Sequence, residues 1–499
     1  MFHPSLRALS PVIPRNLFNV VVCGGGIVGA ASLASLQQLR SRFLSEISRE
    51  DSTAAHSVYA SRLSQLLLVD SVPRPQYDAQ NVMHTLRTVS LTPVSSKLLD
   101  NLGCWRRLQT KHPYYRIALR HEQTNSPLFP KQNRPVSYFM SYLLGGNEAT
   151  AEPLLEFTDL NRPLGFVSYN AEINTELINV IEDHQKLNDA NVAKDRIVFG
   201  STMASVSLPP QDVVDGALGG AVLRSTSGED LLNFSLLLGC DGRGSSLREL
   251  LATGAVQHDY AQTAYVCTVR LERMDDGNSC CFQNFFLNGD VIAMLPLSED
   301  SANIIFSTTA ARARELMAAS QSDLVSELNG RLHAFAPKDI PRILGVHEGT
   351  VNGKQVRGQG TFPLRLNFVL RPYSPRCLLL GDAAHGIHPF AGQGLNLGLY
   401  DVCALIEVLE KAIRYGQDIG GVCAVGQPFA SEMMLHTSSM ITVMEGIYTA
   451  LNAAPSLSCA GMKVLQGLPL VSSFGKQCIT NFSSGGLFAR RHSDCFLLL

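Results

Sequence analysis

The stretch LLGDAAHGIHPFAGQGLNLGLYD, residues 379–401, decides the fold class of this chain. An apolar strand leads to the carboxylate of Asp382, a glycine-rich turn follows, and a helix begins beyond it near Gly394. A carboxylate there can accept hydrogen bonds from cofactor hydroxyls, and the unpaired amides at the start of a helix favour an electron-rich ring. The pattern predicts one half of a flavin site.

The other half is predicted near the N-terminus, where the apolar strand 19–23 runs into a second glycine-rich turn. In this turn Gly24 permits the tight bend, Gly26 lets the backbone approach a pyrophosphate, and Gly29 allows the next helix to pack on the strand. A plain tight turn without a ligand is the alternative interpretation, because glycine-rich strand ends are common.

Two further strands end in acidic residues. The strand 66–69 ends in Asp70, the type of residue that binds ribose hydroxyls, although it comes later than the usual interval of about 20 residues. We attribute the excess to a polar insertion at 41–62, and a surface turn is the alternative role for Asp70. The strand 234–239 ends in Asp241-Gly242 before a serine-capped helix. Together these strand ends predict one nucleotide-binding fold.

Composition indicates a large enzyme-like chain. Its 499 residues suffice for a sizeable core, for two interleaved domains and for an extension. With a formal net charge of −2, the chain lacks the excess of basic residues that is typical of a nucleic-acid-binding protein. The 12 cysteines are scattered without a CxxC pair or a metal-like Cys/His spacing, which predicts reduced thiols in an intracellular compartment and no metal site.

The N-terminal region permits two interpretations. The uncharged run 16–39 is long enough to span a bilayer, but its strand-like valines and glycine cluster favour the nucleotide fold. Residues 1–18 contain Arg7 and Arg15, two serines and no acidic residue, a composition compatible with a mitochondrial presequence. Prolines in this segment interrupt the amphipathic helix that such a signal requires.

Other elements are predicted from hydrophobic pattern and turn residues. A helix at 94–102 should end at Gly103, and residues 312–334 should form one or two helices. The sequence also predicts a hairpin turn at Asn352-Gly353 before a strand at 355–361. Strands are expected at 264–271, 291–297 and 303–308, as the sheet that floors a substrate pocket.

The segment HPFAGQGLNLG, residues 388–398, closely resembles a signature of the ubiquinone-biosynthesis ring hydroxylases, His-Pro-x-Ala-Gly-Gln-Gly-x-Asn-x-Gly. These enzymes are a subfamily of the class A flavin monooxygenases with the para-hydroxybenzoate hydroxylase fold. The resemblance runs from about residue 19 to about residue 413. Shorter supporting matches lie at 101–105, 164–166, 260–264 and 362–364.

The resemblance implies an α/β fold with a Rossmann-like FAD-binding domain, an inserted substrate domain with a mixed or antiparallel sheet, and a C-terminal helical extension. The FAD-binding domain would be discontinuous, formed by residues 19–110, 165–255 and 357–415. Residues 111–164 and 256–356 would form the substrate domain, and residues 427–485 the extension.

The resemblance also implies FAD as cofactor and assigns its contacts. The glycines of the turn 24–29 would cradle the pyrophosphate, Asp70 would hold the adenosine ribose and Asp382 the ribityl chain. Asp241-Gly242 matches a motif linked with both FAD and pyridine nucleotide. The other predicted cofactor residues are Arg87, Gly381, Gly392, Gln393, Gly394 and Asn396, and His388 and Pro389 are the predicted catalytic residues at the flavin face.

Alternatives remain open for several of these residues. Arg87 could reach a phosphate or the flavin edge, or it could be a surface arginine. His385 and His388 could relay protons or could only shape the turn. No motif defines the substrate contacts.

The implied chemistry belongs to the cofactor. Reduced flavin and oxygen form a hydroperoxide whose distal oxygen adds to an electron-rich aromatic ring, while the protein positions that ring and excludes water. The implied substrates are a polyprenylated phenol or benzoate of ubiquinone biosynthesis and molecular oxygen. Electrons would come from NADPH, or from ferredoxin and its reductase. A flavin halogenase is excluded because it needs a Trp-x-Trp-x-Ile-Pro element, and Trp105 is the only tryptophan.

The alternative function is a catalytically idle FAD-binding subunit of a quinone-biosynthesis complex. The tail beyond Lys411 departs from the family pattern, and residues 440–470 are apolar and rich in small residues. This segment could cap a substrate tunnel, dock on a membrane or partner, or complete the core. We expect a mitochondrial protein that lies peripherally on the matrix side of the inner membrane, within a quinone-biosynthesis complex.

Overall fold

The computed structural model describes residues 17–47, 58–122, 155–187, 195–210, 217–226, 228–251, 254–273, 279–335, 340–351, 353–387 and 392–453. Its helices are α1 Ile27–Ile47, α2 Pro93–Asn101, α3 Asn170–Leu187, α4 Ser246–Leu251, α5 Ala310–Ala318, α6 Gln321–Leu332, α7 Gly394–Arg414 and α8 Gln427–Ala453. Short 3-10 turns lie at Trp105–Arg107 and Gly381–Ala383, and a π-helical turn, Val422–Gly426, precedes α8.

The strands of the N-terminal half are β1 Leu17–Cys23, β2 Leu66–Asp70, β3 Thr88–Leu91, β4 His112–Tyr114, β5 Arg116–His121, β6 Leu155–Thr158, β7 Gly165–Tyr169, β8 Arg196–Phe199, β9 Thr202–Ser207, β10 Gly219–Ser225 and β11 Gly228–Gly239. Those of the C-terminal half are β12 Ala255–Leu271, β13 Cys280–Phe285, β14 Val291–Pro296, β15 Ser301–Thr309, β16 Ile343–Val346, β17 Glu348–Val351, β18 Lys354–Arg357, β19 Gln359–Val369, β20 Tyr373–Ser374, β21 Cys377–Leu379 and β22 His385–Gly386.

The first sheet has the order β20-β21-β11-β1-β2-β8, and β10 and β9 continue from β11. β1 runs parallel to both β11 and β2, and β21 runs parallel to β11. The three consecutive valines of β1, residues 20–22, are completely buried, as expected for a parallel strand covered by helices on both faces. α1 packs against α3 and α7 in this layer. The α/β prediction is confirmed.

The second sheet has the order β22-β19-β12-β15-β14-β13-β5-β6, with β16 beside β12. Most of its pairs are antiparallel, but β5 and β13 are parallel, so the sheet is mixed as predicted. Its separate core contains Tyr265, Phe282 and Phe306 together with apolar residues of α5 and α6. The predicted strands at 264–271, 291–297 and 303–308 lie in it as β12, β14 and β15.

One strand differs from the predicted domain division. β19 lies in a segment assigned to the FAD-binding domain, yet it pairs antiparallel with β12 in the second sheet. The pairing extends from Ala255, opposite Val369, to Cys267, opposite Gln359. A strand joins a sheet where its backbone N–H and C=O groups find hydrogen-bond partners, and β12 supplies these partners for β19. A third, small sheet has the order β3-β7-β4.

Several local predictions are confirmed. α2 begins after the N-cap Thr92, whose hydroxyl accepts from Ser95 N, and ends before Gly103, which has a φ of +81°. The predicted helical region 312–334 contains two helices, α5 and α6. Ser320 begins the second helix as its N-cap, where its hydroxyl accepts from Asp323 N at 3.2 Å. The predicted hairpin joins β17 to β18, and its Gly353 has a φ of +75°.

The N-terminal segment forms the strand β1 inside the first sheet. Within the ranges given above, no helix has both the length and the apolar character needed to cross a bilayer. α1 continues through Ile47 into the predicted insertion. The first 16 residues of the predicted presequence, residues 48–57, and the extension beyond α8 lie outside the described residues.

Candidate cofactor site

The carboxyl ends of four parallel strands converge at one edge of the first sheet. β1 leads into Gly24, β2 ends at Asp70, β11 leads into Asp241, and β21 leads into Gly381. In open α/β sheets, ligands bind in the crevice beyond these ends. The structure therefore brings the predicted cofactor segments together from distant parts of the sequence.

The glycines of the turn 24–29 have two different roles. Gly24 has a φ of +110°, and a Cβ added there would lie 2.3 Å from the backbone oxygen of Cys240. A Cβ at Gly29 would lie 1.9 Å from the backbone oxygen of Gly24. At Gly26, in contrast, an added Cβ would meet no described atom within 4 Å. The fold requires Gly24 and Gly29. Gly26 instead borders open space at the start of α1, where a pyrophosphate fits.

Asp70 stands directly beside this turn. Its Oδ2 accepts from Gly25 N at 2.5 Å, and its Oδ1 accepts from Val72 N at 2.9 Å. The side chain is half-buried, so these bonds hold the carboxylate at the edge of the sheet. This is the position predicted for a ribose contact.

Asp241 presents an unused acceptor near the same edge. Its Oδ2 caps α4 by accepting from the amide of Ser246 at 2.9 Å and from the hydroxyl of that serine at 3.3 Å. Its Oδ1 is buried and has no hydrogen-bond partner among the described residues. A buried carboxylate oxygen without a donor is costly, so a ligand donor fits here. The neighbouring Gly242 has a φ of +79° and space around it.

Asp382 lies between two other parts of the site. Arg243 donates its Nε–H to Asp382 Oδ2 at 3.2 Å. On the other side, a Cβ added to Gly394 would lie 3.9 Å from Asp382 Oδ1, so the carboxylate faces the first residue of α7. The preceding Gly381 has a φ of +57°. A cofactor that bonds Asp382 would therefore lie next to the unpaired amides at the start of α7.

Arg87 connects this site to the second sheet. Its guanidinium lies 5.1 Å from the ring centroid of Phe362 on β19. Surrounding protein atoms and the charge of Arg243 lower the pKa of Arg87, and Asp382 opposes that effect. The Arg87 side chain is nevertheless exposed to solvent. A side chain that is surrounded by protein atoms and still reaches solvent is typical of a cleft. Arg243 was not predicted, although its position directly after Asp241-Gly242 was a signal.

Asn396 is fully engaged within the protein. Its amide nitrogen donates to the backbone oxygen of Ser90 at 2.8 Å, and its Oδ1 accepts from Thr92 N at 2.9 Å and from Ser95 Oγ at 2.7 Å. The side chain is completely buried. These bonds attach α7 to β3 and α2. A cofactor contact of Asn396 stays a prediction, and the structure gives its side chain a positioning role.

The rest of the predicted turn is partly described. Gly392 has a φ of +62°, and its added Cβ would lie 3.1 Å from Ser90 Cβ, so this glycine packs on β3. Gln393 is buried at the N-cap position of α7. His388 and Pro389, the predicted catalytic residues, lie outside the described residues. Their role stays a prediction.

A buried acid–base pair behind the turn was missed by sequence reasoning. His385 Nε2 lies 2.6 Å from Asp401 Oδ2, and both side chains are completely buried. Burial lowers the pKa of His385, but the charge and hydrogen bond of Asp401 outweigh it, and the net pKa is raised. Burial likewise opposes ionisation of Asp401, yet His385 holds the pKa of this acid at about 2. Each group therefore favours the charged form of the other.

Comparison with known proteins identifies relatives of this chain. The chain is similar to the mitochondrial ubiquinone biosynthesis monooxygenase COQ6 of Xenopus tropicalis, with 27% identity over 440 residues, which cover 83% of this chain and 82% of that protein. The protein of the same name from Schizosaccharomyces pombe is 28% identical over 451 residues, covering 84% and 82%. The resemblance to ubiquinone-biosynthesis ring hydroxylases is thus confirmed.

Solved structures show the same fold. The structure of PqsL from Pseudomonas aeruginosa with 2-aminobenzoylacetate has a TM-score of 0.58 and 17% identity, and the match covers 90% of this chain and 99% of that one. Aklavinone-11 hydroxylase, solved with FAD and aklavinone, has a TM-score of 0.54 and 16% identity, covering 88% and 70%. The family model for the FAD binding domain matches residues 78–418, and this chain belongs to that family.

Proposed function

We propose that this chain is an FAD-dependent monooxygenase that hydroxylates the aromatic ring of a polyprenylated phenol or benzoate in ubiquinone biosynthesis. The observation that carries the proposal is its alignment with ubiquinone biosynthesis monooxygenases over 83% of its own length and 82% of theirs. The alternative, a catalytically idle FAD-binding subunit, is not favoured, because these relatives are named as monooxygenases.

The residues at the sheet edge fit FAD. The space beside Gly26 and the amides of α1 suit its pyrophosphate, Asp70 suits the adenosine ribose, and Asp382 suits the ribityl hydroxyls. The N-terminus of α7 would face the flavin ring and favour negative charge on it. When bound and reduced, FAD supplies the chemistry that activates oxygen and delivers one oxygen atom to the ring.

The protein's own task is to position the aromatic ring and exclude water. Arg87, which immediately precedes β3, lies over Phe362 of β19 and is acted on by the charges of Arg243 and Asp382. This junction therefore lies beside both the cofactor edge and the sheet proposed to bind the substrate. The aromatic ring of Phe362 is half-buried and offers an apolar surface to a phenolic ring. We place the reacting end of the substrate at this junction.

Oxygen uptake by the purified FAD-loaded protein tests the proposal. With a prenylated hydroxybenzoate and a reductant, we expect substrate-dependent oxygen consumption and a product heavier by one oxygen atom. An Asp382→Ala variant, which should lose FAD, provides the blank. Bound FAD without turnover under any donor would contradict the monooxygenase proposal and favour the idle subunit.

Loss of the protein from cells provides an independent test. Mass analysis should reveal a quinone precursor that lacks one ring hydroxyl. A normal quinone profile would contradict the pathway assignment, and the structure of an accumulated precursor would identify the ring carbon that is oxidised.

The electron donor is proposed to be either NADPH or ferredoxin with its reductase. Bleaching of the flavin absorbance under anaerobic conditions distinguishes them, because only the physiological donor should reduce the flavin within the turnover time. Reduction by NADPH alone would remove the need for ferredoxin.

We propose a mitochondrial location, since the relatives named above are mitochondrial proteins. Within the organelle, a polyprenyl substrate favours peripheral contact with the inner membrane on the matrix side, in a quinone-biosynthesis complex. Release of the protein from mitochondrial membranes by carbonate would support this location, and resistance to carbonate would contradict a peripheral contact.

A further inference from the structure

α8 presents an apolar face to the first core, and one histidine interrupts it. Phe429, Met433 and Met440 are buried in that core, and their spacing places them on one side of the helix. His436 lies on the same side, between Met433 and Met440, with only 14% of its side chain exposed. A polar group on a buried helix face needs a partner.

The partner is Asp401 of α7. His436 Nε2 lies 3.4 Å from Asp401 Oδ1, and the ring of His436 packs edge-on against Tyr400 with centroids 5.9 Å apart. The other carboxylate oxygen, Asp401 Oδ2, accepts from Gly381 N at 2.8 Å and contacts His385 Nε2 at 2.6 Å. Oδ2 of this completely buried acid is thus hydrogen-bonded, whereas Oδ1 meets His436 at ion-pair distance without hydrogen-bond geometry.

The same carboxylate therefore joins the C-terminal helix to the cofactor turn. Gly381 immediately precedes Asp382 and has a φ of +57°, a conformation in which its amide points to Asp401. His385 contacts Asp401 directly, and the charge of Asp382 also raises the pKa of this imidazole. A change in the position of Asp401 would shift the turn that aims Asp382 at the cofactor.

We propose that His436 is a positioning residue for FAD binding, which couples the docking of α8 to the geometry of the Gly381-Asp382 turn through Asp401. This inference rests on the proposed FAD-binding function but not on the proposed substrate or reaction. Coupling between two sites is reciprocal, so FAD should stabilise the docked α8 as much as docked α8 strengthens FAD binding.

The test compares two substitutions of His436 in the full-length protein. His436→Leu removes the donor and keeps the apolar contact, and we expect it to weaken FAD binding about tenfold, within the usual range of coupling between sites. His436→Gln keeps a nitrogen donor and should remain within about threefold of the parent protein. Leu435→Gln, on the exposed side of the same helix, is the matched control and should not change FAD affinity.

FAD affinity is measured by quenching of flavin fluorescence, and thermal melting is recorded with and without FAD. A purely structural role would lower the melting temperature of both forms equally and leave FAD affinity unchanged. Our proposal requires a larger loss in the FAD-loaded form. Equal FAD affinity in His436→Leu and the parent protein, or equal weakening by the leucine and glutamine variants, would overturn it.

A second measurement uses the unmodified protein, in case a variant fails to fold. Hydrogen exchange should show that FAD protects the backbone amides of 427–442. Protection at the glycine-rich turns without protection of α8 would refute the coupling, whereas the absence of any FAD binding would refute the proposed function instead. The inference can still be tested if this protein binds FAD but has no monooxygenase activity.

Discussion

Arg243 donates to Asp382 at 3.2 Å, and both side chains remain substantially exposed, at 47% and 36%. An exposed pair of this kind contributes little to stability, at most about 1 kcal/mol. Its significance is therefore its position: it holds a carboxylate and a guanidinium next to the start of α7, where both can contact a bound ligand.

Replacement of Asp382 by alanine should release FAD. A hydrogen bond to a charged group contributes about 1.5–3 kcal/mol, so the dissociation constant should rise about 10- to 150-fold. Equilibrium dialysis or flavin fluorescence measures the change. Asp259→Ala removes a comparable exposed acid, which pairs with Arg365 at 3.1 Å, and should retain FAD. A variant at Asp382 that still purifies as a yellow flavoprotein would contradict the assignment.

Gly26→Ala should separate cofactor binding from folding. Its Cβ meets no described atom within 4 Å, so the apoprotein should keep its melting temperature, while the added methyl group occupies space proposed for the pyrophosphate. We expect FAD affinity to fall at least about tenfold, the effect of about 1.4 kcal/mol. Gly330→Ala, which also adds a methyl group in open space but lies on α6, is the control. Normal FAD affinity in the Gly26 variant would exclude a close approach of cofactor to this residue.

Asp195→Ala should destabilise the packing of α1 beside the first sheet. The carboxylate bonds both terminal nitrogens of Arg40 at 2.7 Å, and the Arg40 and Asp195 side chains are 0% and 2% exposed. Removal of one partner leaves a buried charge, so urea denaturation should show a loss of about 3–5 kcal/mol in the free energy of unfolding. Glu229→Gln breaks the exposed pair with Arg224 and should cost about 1 kcal/mol or less. Equal effects would argue against a buried ion pair.

The His385–Asp401 pair should make stability depend on pH. The folded pKa of His385 is raised, so its contribution is fully present below the unfolded value of about 6.5 and is lost as the pH rises through the folded pKa. Asp401, with its pKa lowered to about 2, stays ionised over this window. As the pH rises above about 6.5, the melting temperature of the parent protein should fall more steeply than that of His385→Gln.

The exposed His258 supplies the control for the pH experiment. His258→Gln should retain the slope of the parent protein, because this side chain is exposed and its ring packs edge-on against Tyr260. A His385→Gln variant with an unchanged slope would show that the buried pair does not titrate in this window.

Local sequence determined much of the cofactor edge. The apolar runs of β1, β2 and β11 could each be predicted from consecutive residues. The glycine-rich turn at Gly24 and the turn Gly381-Asp382 could be predicted in the same way. Such features depend on φ angles and on burial of short segments, which neighbouring residues specify. The resemblance in residues 388–398 then narrowed the predicted flavoprotein to a quinone-ring hydroxylase.

Tertiary structure decided which distant groups meet. Asn396 bonds Ser90 and Thr92 across the fold, Arg40 meets Asp195, and the His436 imidazole lies beside Asp401. No periodicity in the chain encodes these pairs, because each arises only when two elements pack and a buried polar group must find a partner. The same requirement, applied to backbone groups, places β19 in the second sheet. The sequence specified the pieces of the cofactor edge, and packing specified what holds each piece in place.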